Sequence, residues 1–159
     1  MSPPPGDPTV EVRPIDAAAT RPLRQQILRP DQAADELVYP GDDAPDSLHV
    51  GAFAGAELLG VASIYRQSPE GRPVRHTDWR LRGMAVVPEA RRRGVGAALL
   101  SVCERHARAH GARRVWFNAR IDAMPFYEAL GYEGIGEAYE LPGIGAHRFA
   151  ERIFAPNSD

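Results

Sequence analysis

Apolar and polar residues alternate over residues 9–13 (Thr-Val-Glu-Val-Arg), which predicts a first strand that Pro14 closes. Leu23, Ile27 and Leu28 then recur at helical spacing behind Asp16, a candidate N-cap. A helix is expected to run toward Leu28, with Pro22 early in it and Arg29-Pro30 after it. Residues 31–47 are polar and acidic and read as a loop, with a short helical turn at 33–37. Two apolar runs, 48–53 and 58–65, flank Ala54-Gly55-Ala56-Glu57 and predict a hairpin. After a turn-rich stretch at 67–75, a fourth strand begins near 76–79, and its apolar end at 81–87 stops at Pro88.

Val95, Leu99, Val102 and His106 recur with helical period, and Gly111 fits the C′ position that ends such a run. Residues 114–118 (Arg-Val-Trp-Phe-Asn) are β-branched and aromatic, hence a strand. Asp122 is a candidate N-cap for a short helix at 123–130, with Pro125 in its first turn and Gly131 after it. Tyr132 opens another strand, and 138–141 with 147–153 form a closing pair around Pro142-Gly143-Ile144-Gly145. The order is β-α-β-β-β-α-β-α-β-β, without repeats or an interdomain linker. One α/β domain is expected at 9–154, between a disordered or polyproline-like tail at 1–8 and a short tail at 155–159.

The chemistry concentrates between the fourth strand and the long helix. There the chain reads Arg91-Arg92-Arg93-Gly94-Val95-Gly96-Ala97. A strand, a basic Gly-rich turn and a helix start make an anion cradle. Glycines let backbone approach a ligand, and the helix start offers free N–H groups at its positive dipole end. The expected guest carries phosphate.

Composition narrows the chemistry. With 159 residues, 43% hydrophobic and 25% charged, the chain can bury one substantial core. Its net charge of −2 gives no global field toward nucleic acid or an anionic membrane. Three arginines at one turn are too small a footprint for nucleic acid, and no aromatic stacking platform adjoins them. All 19 basic residues are arginine. Without lysine there is no Walker A motif, no Schiff base to pyridoxal phosphate and no lysine nucleophile. The single Cys103 cannot form an intramolecular disulfide and reads as a buried small hydrophobe; no Cys/His cluster has zinc spacing, so no metal is expected. No secretory h-region or membrane-spanning run is present, so the expected location is the cytoplasm.

Two segments resemble the GNAT superfamily of acyl-CoA-dependent N-acyltransferases. Residues 85–100 fit that family's Q/R-x-x-G-x-G/A turn followed by an apolar helix. Residues 123–132 (Ala-Met-Pro-Phe-Tyr-Glu-Ala-Leu-Gly-Tyr) look like its A-x-x-[FL]-Y-x-x-x-G-[FY] signature. The resemblance covers about residues 9–153, by element pattern more than by residue in the first third. Residues 136–144 followed by His147 are similar to a bacterial subgroup.

The resemblance implies a mixed, twisted sheet of about seven strands splayed between the fourth and fifth, with helices on both faces. It implies acetyl-CoA as co-substrate, no metal, and a small-molecule or peptide amine as acceptor; many members dimerise. Backbone N–H groups of Arg93, Gly94, Val95, Gly96 and Ala97 would hold the pyrophosphate, with Arg91 and Arg92 as guanidinium partners. Main-chain groups of Met84 and Val86 would pair with the pantetheine arm and acetyl carbonyl. Tyr127 would protonate the departing thiolate. Glu133, Glu137, Glu140 and His147 are candidate bases by position, but none stands out and a surface or structural polar residue is the better reading of each; His49 likewise reads as packed or exposed.

Arg80 and Arg82 alternate with Leu81 close to where the acceptor should lie and can receive a carboxylate, but exposed strand arginines are the commoner case. Asp42, Asp43 and Asp46 can attract a cationic amine, but a solvated loop is the better reading. One departure from the pattern is Arg120, which stands where many members carry asparagine; Asn118 lies two residues earlier, so that asparagine's role is carried to neither. The alternatives to an N-acetyltransferase are a non-catalytic acyl-CoA sensor, and an acyltransferase with a longer acyl chain or a non-amine acceptor.

Overall fold

A computed structural model describes residues 10–156. The expected tail at 1–8 therefore lies outside the described residues, as does most of the tail at 155–159. The elements follow the expected order: β1 (Val10–Pro14), α1 (Ala17–Leu23), β2 (Leu48–Ala54), β3 (Glu57–Arg66), β4 (Asp78–Val86), α2 (Val95–Ala109), β5 (Arg114–Arg120), α3 (Met124–Ala129), β6 (Glu133–Leu141) and β7 (Gly145–Ile153). All seven strands form one sheet in the order β1-β2-β3-β4-β5-β7-β6. Among the described residues, only β4 and β5 run parallel.

Side-chain alternation assigns the two faces of the sheet. A Cβ on Gly60 would lie 3.1 Å from Leu99 of α2, so that face of β3 carries the long helix. Trp79 and Leu81 share it, with Val115 and Phe117 of β5; they bury against Leu99, Leu100, Cys103 and Ala107. Cys103 is fully buried, as expected. Ser63 points the other way and meets Arg24, just beyond α1, so helices lie on both faces.

Several local expectations change. The first helix does not stay α-helical to Leu28: it ends at Leu23, and Arg24–Leu28 form a π turn in which the Arg29 N–H reaches the Arg24 carbonyl. Asp16 sits at the N-cap position without a side-chain cap bond. Asp122 does not cap α3 either, because Ile121–Ala123 form a 3₁₀ turn and Ala123 takes the cap position. The strands expected at Tyr132 and at 138–141 are one strand, β6, with an irregularity between Ile135 and Tyr139 where Gly136 has φ +75°.

The acidic loop at 42–46 is not uniformly solvated, contrary to the sequence expectation. Asp42 is buried and takes a fork from Arg24, whose Nη1 and Nη2 donate to its two oxygens at 2.8 and 3.0 Å. Arg24 also donates to the Leu37 carbonyl at 2.8 Å and to Ser63 Oγ at 2.9 Å. His49 completes the cluster, with Nδ1 2.6 Å from Ser63 Oγ and Nε2 2.9 Å from the Asp42 carbonyl. His49 is thus a packed structural residue.

Burial alone would raise the Asp42 carboxyl pKa. The Arg24 hydrogen bonds, the Tyr39 N–H and the charges of Arg24 and His49 outweigh that and hold it below its ordinary value. A carboxyl whose folded pKa is depressed stabilises the fold above its unfolded value, near 3.8, and loses that contribution as pH falls toward the folded value. Asp42→Asn is expected to cost about 3–5 kcal/mol, because it leaves the buried guanidinium uncompensated. Urea unfolding at pH 7 measures it, and the gap between variant and wild type is expected to shrink on acidification below about pH 4.

Candidate active site

β4 and β5 pair over three residues only, Asp78 to Arg80 with Arg114 to Trp116. β5 is paired with β7 on its other edge throughout, from Arg114 to Arg120, so beyond Trp116 its edge toward β4 has no strand partner and β4 continues alone. A bulge sharpens the divergence: Val61 faces Ala85 and Ser63 faces Arg82, so Gly83 and Met84 share the single residue Ala62. Gly83 has φ +68°, and a Cβ there would come within 3.0 Å of Tyr39 and 3.1 Å of Arg24 Nε. The opening thus rests on a residue without a side chain.

The start of α2 faces this gap. Gly94 caps the helix at φ +77°, and a Cβ on it would meet nothing within 4 Å. The first bond of the helical ladder is from the Ala98 N–H to the Gly94 carbonyl at 3.0 Å. The N–H groups of Val95, Gly96 and Ala97 precede that bond, so they have no acceptor within the helix. No acidic residue lies in the first turn to compete with a bound anion, whereas His106 and Arg108 lie in the last. Gly96 serves packing instead: a Cβ there would lie 3.2 Å from Phe126.

Two clefts open on the gap. The first, about 490 Å³, is lined by Ile27, Leu28, Met84, Val86, Arg91, Arg92, Gly94, Val95, Gly96, Arg120, Asp122, Phe126 and Tyr127, among others. The second, about 430 Å³, lies against the face opposite α2 and is lined by Tyr39, Arg80, Arg82, Asn118, Arg120, Ile144 and His147, among others. They share Leu28, Met84, Arg120, Ala123 and Tyr127. Among all these lining residues there is no serine, threonine, cysteine or lysine.

Tyr127 stands at that junction. Its hydroxyl points at Met84 Sδ, 3.7 Å away, and its ring packs on Phe117 with centroids 4.5 Å apart. Burial pushes its pKa up to about 12, so the phenol keeps its proton through neutral pH. On β4, the Val87 N–H bonds to the Leu59 carbonyl, so strand alternation turns the Val86 peptide groups to the open edge. The Val86 carbonyl accepts from Arg91 Nε at 3.3 Å.

The structure gathers most of the residues singled out by sequence. Met84, Val86, Arg91, Arg92, Gly94, Val95, Gly96 and Tyr127 line the first cleft, whereas Arg93 and Ala97 flank it. Of the four base candidates only His147 reaches a cleft; Glu133, Glu137 and Glu140 are exposed on β6. Asn118 faces the second cleft and accepts a hydrogen bond from the Tyr139 hydroxyl. Arg120 borders both clefts. Sequence reasoning passed over Leu28, Tyr39, Phe126 and Ile144. Only Phe126 carried a signal, its place beside the motif tyrosine. Among the described residues no group of three or more His, Cys, Asp or Glu is placed to hold a metal ion, and no helix is long and apolar enough to cross a membrane.

A splayed mixed sheet with a glycine-capped helix start facing the split is the architecture of acyl-CoA-dependent transferases. The sequence pattern of the acetyltransferase (GNAT) family matches residues 13–132, and the chain belongs to that family. It is 35% identical over 140 residues to the uncharacterized N-acetyltransferase YitI of Bacillus subtilis, covering 87% of this chain and 92% of that one. Its fold resembles Escherichia coli ElaA, with a TM-score of 0.72 at 19% identity, covering 91% of this chain and 99% of the other. It also resembles an aminoglycoside 6'-N-acetyltransferase complexed with coenzyme A, with a TM-score of 0.71 at 15% identity, covering 94% and 99%.

The helix cap makes a prediction independent of catalysis. Gly94→Ala meets no steric obstacle but forces an L-residue to φ +77°. It is expected to lower stability by about 1 kcal/mol in urea unfolding. Wild-type stability would show that the left-handed cap is not required.

Proposed function

We propose that the protein transfers the acetyl group of acetyl-CoA to a primary amine by direct attack within a ternary complex. One observation carries this reading: the two clefts open on the same gap and meet at Met84 and Tyr127. Donor and acceptor can then occupy separate clefts and touch only at the junction. The absence of a serine, threonine, cysteine or lysine from both linings favours direct transfer over a covalent enzyme intermediate.

The first cleft fits the donor. The N–H groups of Val95, Gly96 and Ala97, with those of Arg93 and Gly94 before them, face the position of a diphosphate. Arg91 and Arg92 add charge-assisted contacts. The open space over Gly94 leaves room for the phosphate oxygens. Ile27, Leu28 and Phe126 supply an apolar wall for a pantetheine arm, and Met84 and Val86 supply main-chain groups along it. Acetyl-CoA provides an activated thioester; the chain's own residues provide position and proton management.

Tyr127 delivers its proton to the sulfur as the carbon–sulfur bond breaks. His147 receives the proton that the attacking nitrogen gives up. Its Nδ1 lies 2.9 Å from the Gly145 carbonyl, which can only accept, so in the neutral ring Nδ1 carries the hydrogen and the lone pair is on Nε2. The new carbon–nitrogen bond replaces the carbon–sulfur bond, with one proton taken up and one given.

Release of free CoA thiol on adding an amine to protein and acetyl-CoA tests the reading. Tyr127→Phe is expected to lower kcat about 10²–10⁴-fold with coenzyme A affinity unchanged, and His147→Gln about 10²-fold. The wild-type rate is expected to rise with pH as the amine loses its proton. It should show no loss from tyrosine ionisation until pH approaches about 12. A Tyr127→Phe enzyme with wild-type kcat would remove the assigned acid, and binding without turnover of any amine would favour a sensor.

A further inference from the structure

The second cleft is electrostatically one-sided. Arg29, Arg80, Arg82 and Arg120 line it, and no aspartate or glutamate does. Other partly or fully buried arginines of the sheet and its loops do have carboxylate partners: Arg24 with Asp42, Arg66 with Asp46, and Arg114 with Asp78 and Glu151. Among the described residues no carboxylate lies within 4.0 Å of Arg80 or Arg82, and Asp42, behind Tyr39, is already engaged by Arg24 and the Tyr39 N–H.

The two β4 arginines are also held ready. They stand two residues apart and therefore on one face of the strand. The Arg80 guanidinium lies 4.8 Å from the centre of the Trp116 ring, and that of Arg82 lies 4.1 Å from the centre of the Tyr39 ring. Aromatic faces fix each plane and leave the N–H edges free. Their hydrogen bonds within the protein are long, 3.3 Å from Arg80 to Gln67 Oε1 and 3.4 Å from Arg82 to the Tyr65 hydroxyl. Arg80 Nε is buried with no partner. Desolvation, and then the charge of Arg82, push the Arg80 pKa below its ordinary value. Arg80 thus keeps its charge at a cost that an incoming anion relieves.

Resting on the acetyltransferase reading, we infer that the acceptor is a small amine that also bears a carboxylate, and that Arg80 and Arg82 receive that carboxylate. Along β4 they lie four and two residues before Met84, about 13 and 7 Å of strand at ~3.3 Å per residue. An acceptor anchored there reaches back to the junction with its amino group. A cleft of about 430 Å³ suits a small molecule. The same arginines repel amines that carry only positive charge, so one pair both selects and rejects.

The test compares ω-amino acids of increasing length with their amides as acceptors, and with diamines. The carboxylate member of at least one pair is expected to exceed its amide by about tenfold or more in kcat/KM. Arg80→Gln and Arg82→Gln are expected to raise KM for that amine about tenfold or more and to leave KM for acetyl-CoA unchanged. Arg105→Gln, exposed on α2, controls for the loss of one charge. Calorimetry with glutarate, with and without coenzyme A, gives a readout that needs no turnover: wild type is expected to bind it and the double arginine variant to lose it. Amides or diamines used equally well, or glutarate heat that is absent or indifferent to the two arginines, overturns the inference while leaving the transferase reading intact. Failure to bind acetyl-CoA strikes that reading, and the glutarate result still decides the carboxylate site.

Discussion

Everything functional in this molecule depends on two parallel strands that part after three paired residues. β4 and β5 are joined from Asp78 to Arg80 and then separate. The separation exposes main-chain groups of β4 that a continuous sheet would have consumed. It also lets a cleft beside α2 and a cleft on the opposite face communicate at Met84 and Tyr127. The bulge at Gly83 and Met84 bends β4 away, and the buried cluster of Arg24, Asp42, Ser63 and His49 holds Tyr39 and the bulge from behind. A charged pair in the interior is a poor source of net stability, yet leaving one member unpaired is costly. The pair lies directly behind the bulge, where a Cβ on Gly83 would come 3.1 Å from Arg24 Nε.

The two clefts use positive charge differently. At the start of α2 it comes mostly from backbone: unpaired N–H groups, a helix dipole and exposed arginines. On the far face it comes from side chains pinned on Trp116 and Tyr39. Backbone donors suit a feature common to all substrates of a family, because they do not vary with side chains. Guanidinium groups on β4 suit a feature particular to one acceptor. Tyr127, buried between them, is an uncharged acid at neutral pH, and burial extends its protonated range to about pH 12.

How much of this could be read from the chain depends on how local each signal is. The Gly-rich turn was legible because its glycines, its arginines and the helical period of Val95, Leu99 and Val102 sit within a few residues. Tyr127 was legible through its motif. The buried role of Asp42 was not, because Pro-Gly-Asp-Asp is a loop signal and its partner Arg24 lies eighteen residues away. The π turn at Arg24–Leu28 keeps the apolar spacing of a helix, so periodicity could not reveal it. The extent of β6 was hidden because Gly136, at φ +75°, interrupts the strand pattern from within the strand's irregularity. The second cleft was the least legible, since it draws on β4, β5, the β6–β7 turn and two loops. Arg80 and Arg82 were visible as residues, but their lack of carboxylate partners is a property of the assembled fold.

In the proposed function the amides ahead of Ala98 hold the diphosphate of coenzyme A. Calorimetric titration with coenzyme A and with pantetheine, which has the same arm but no diphosphate, tests it most directly. One site per chain is expected, with coenzyme A binding at least about a hundredfold more tightly than pantetheine. Equal affinities, or no heat from coenzyme A, would contradict it.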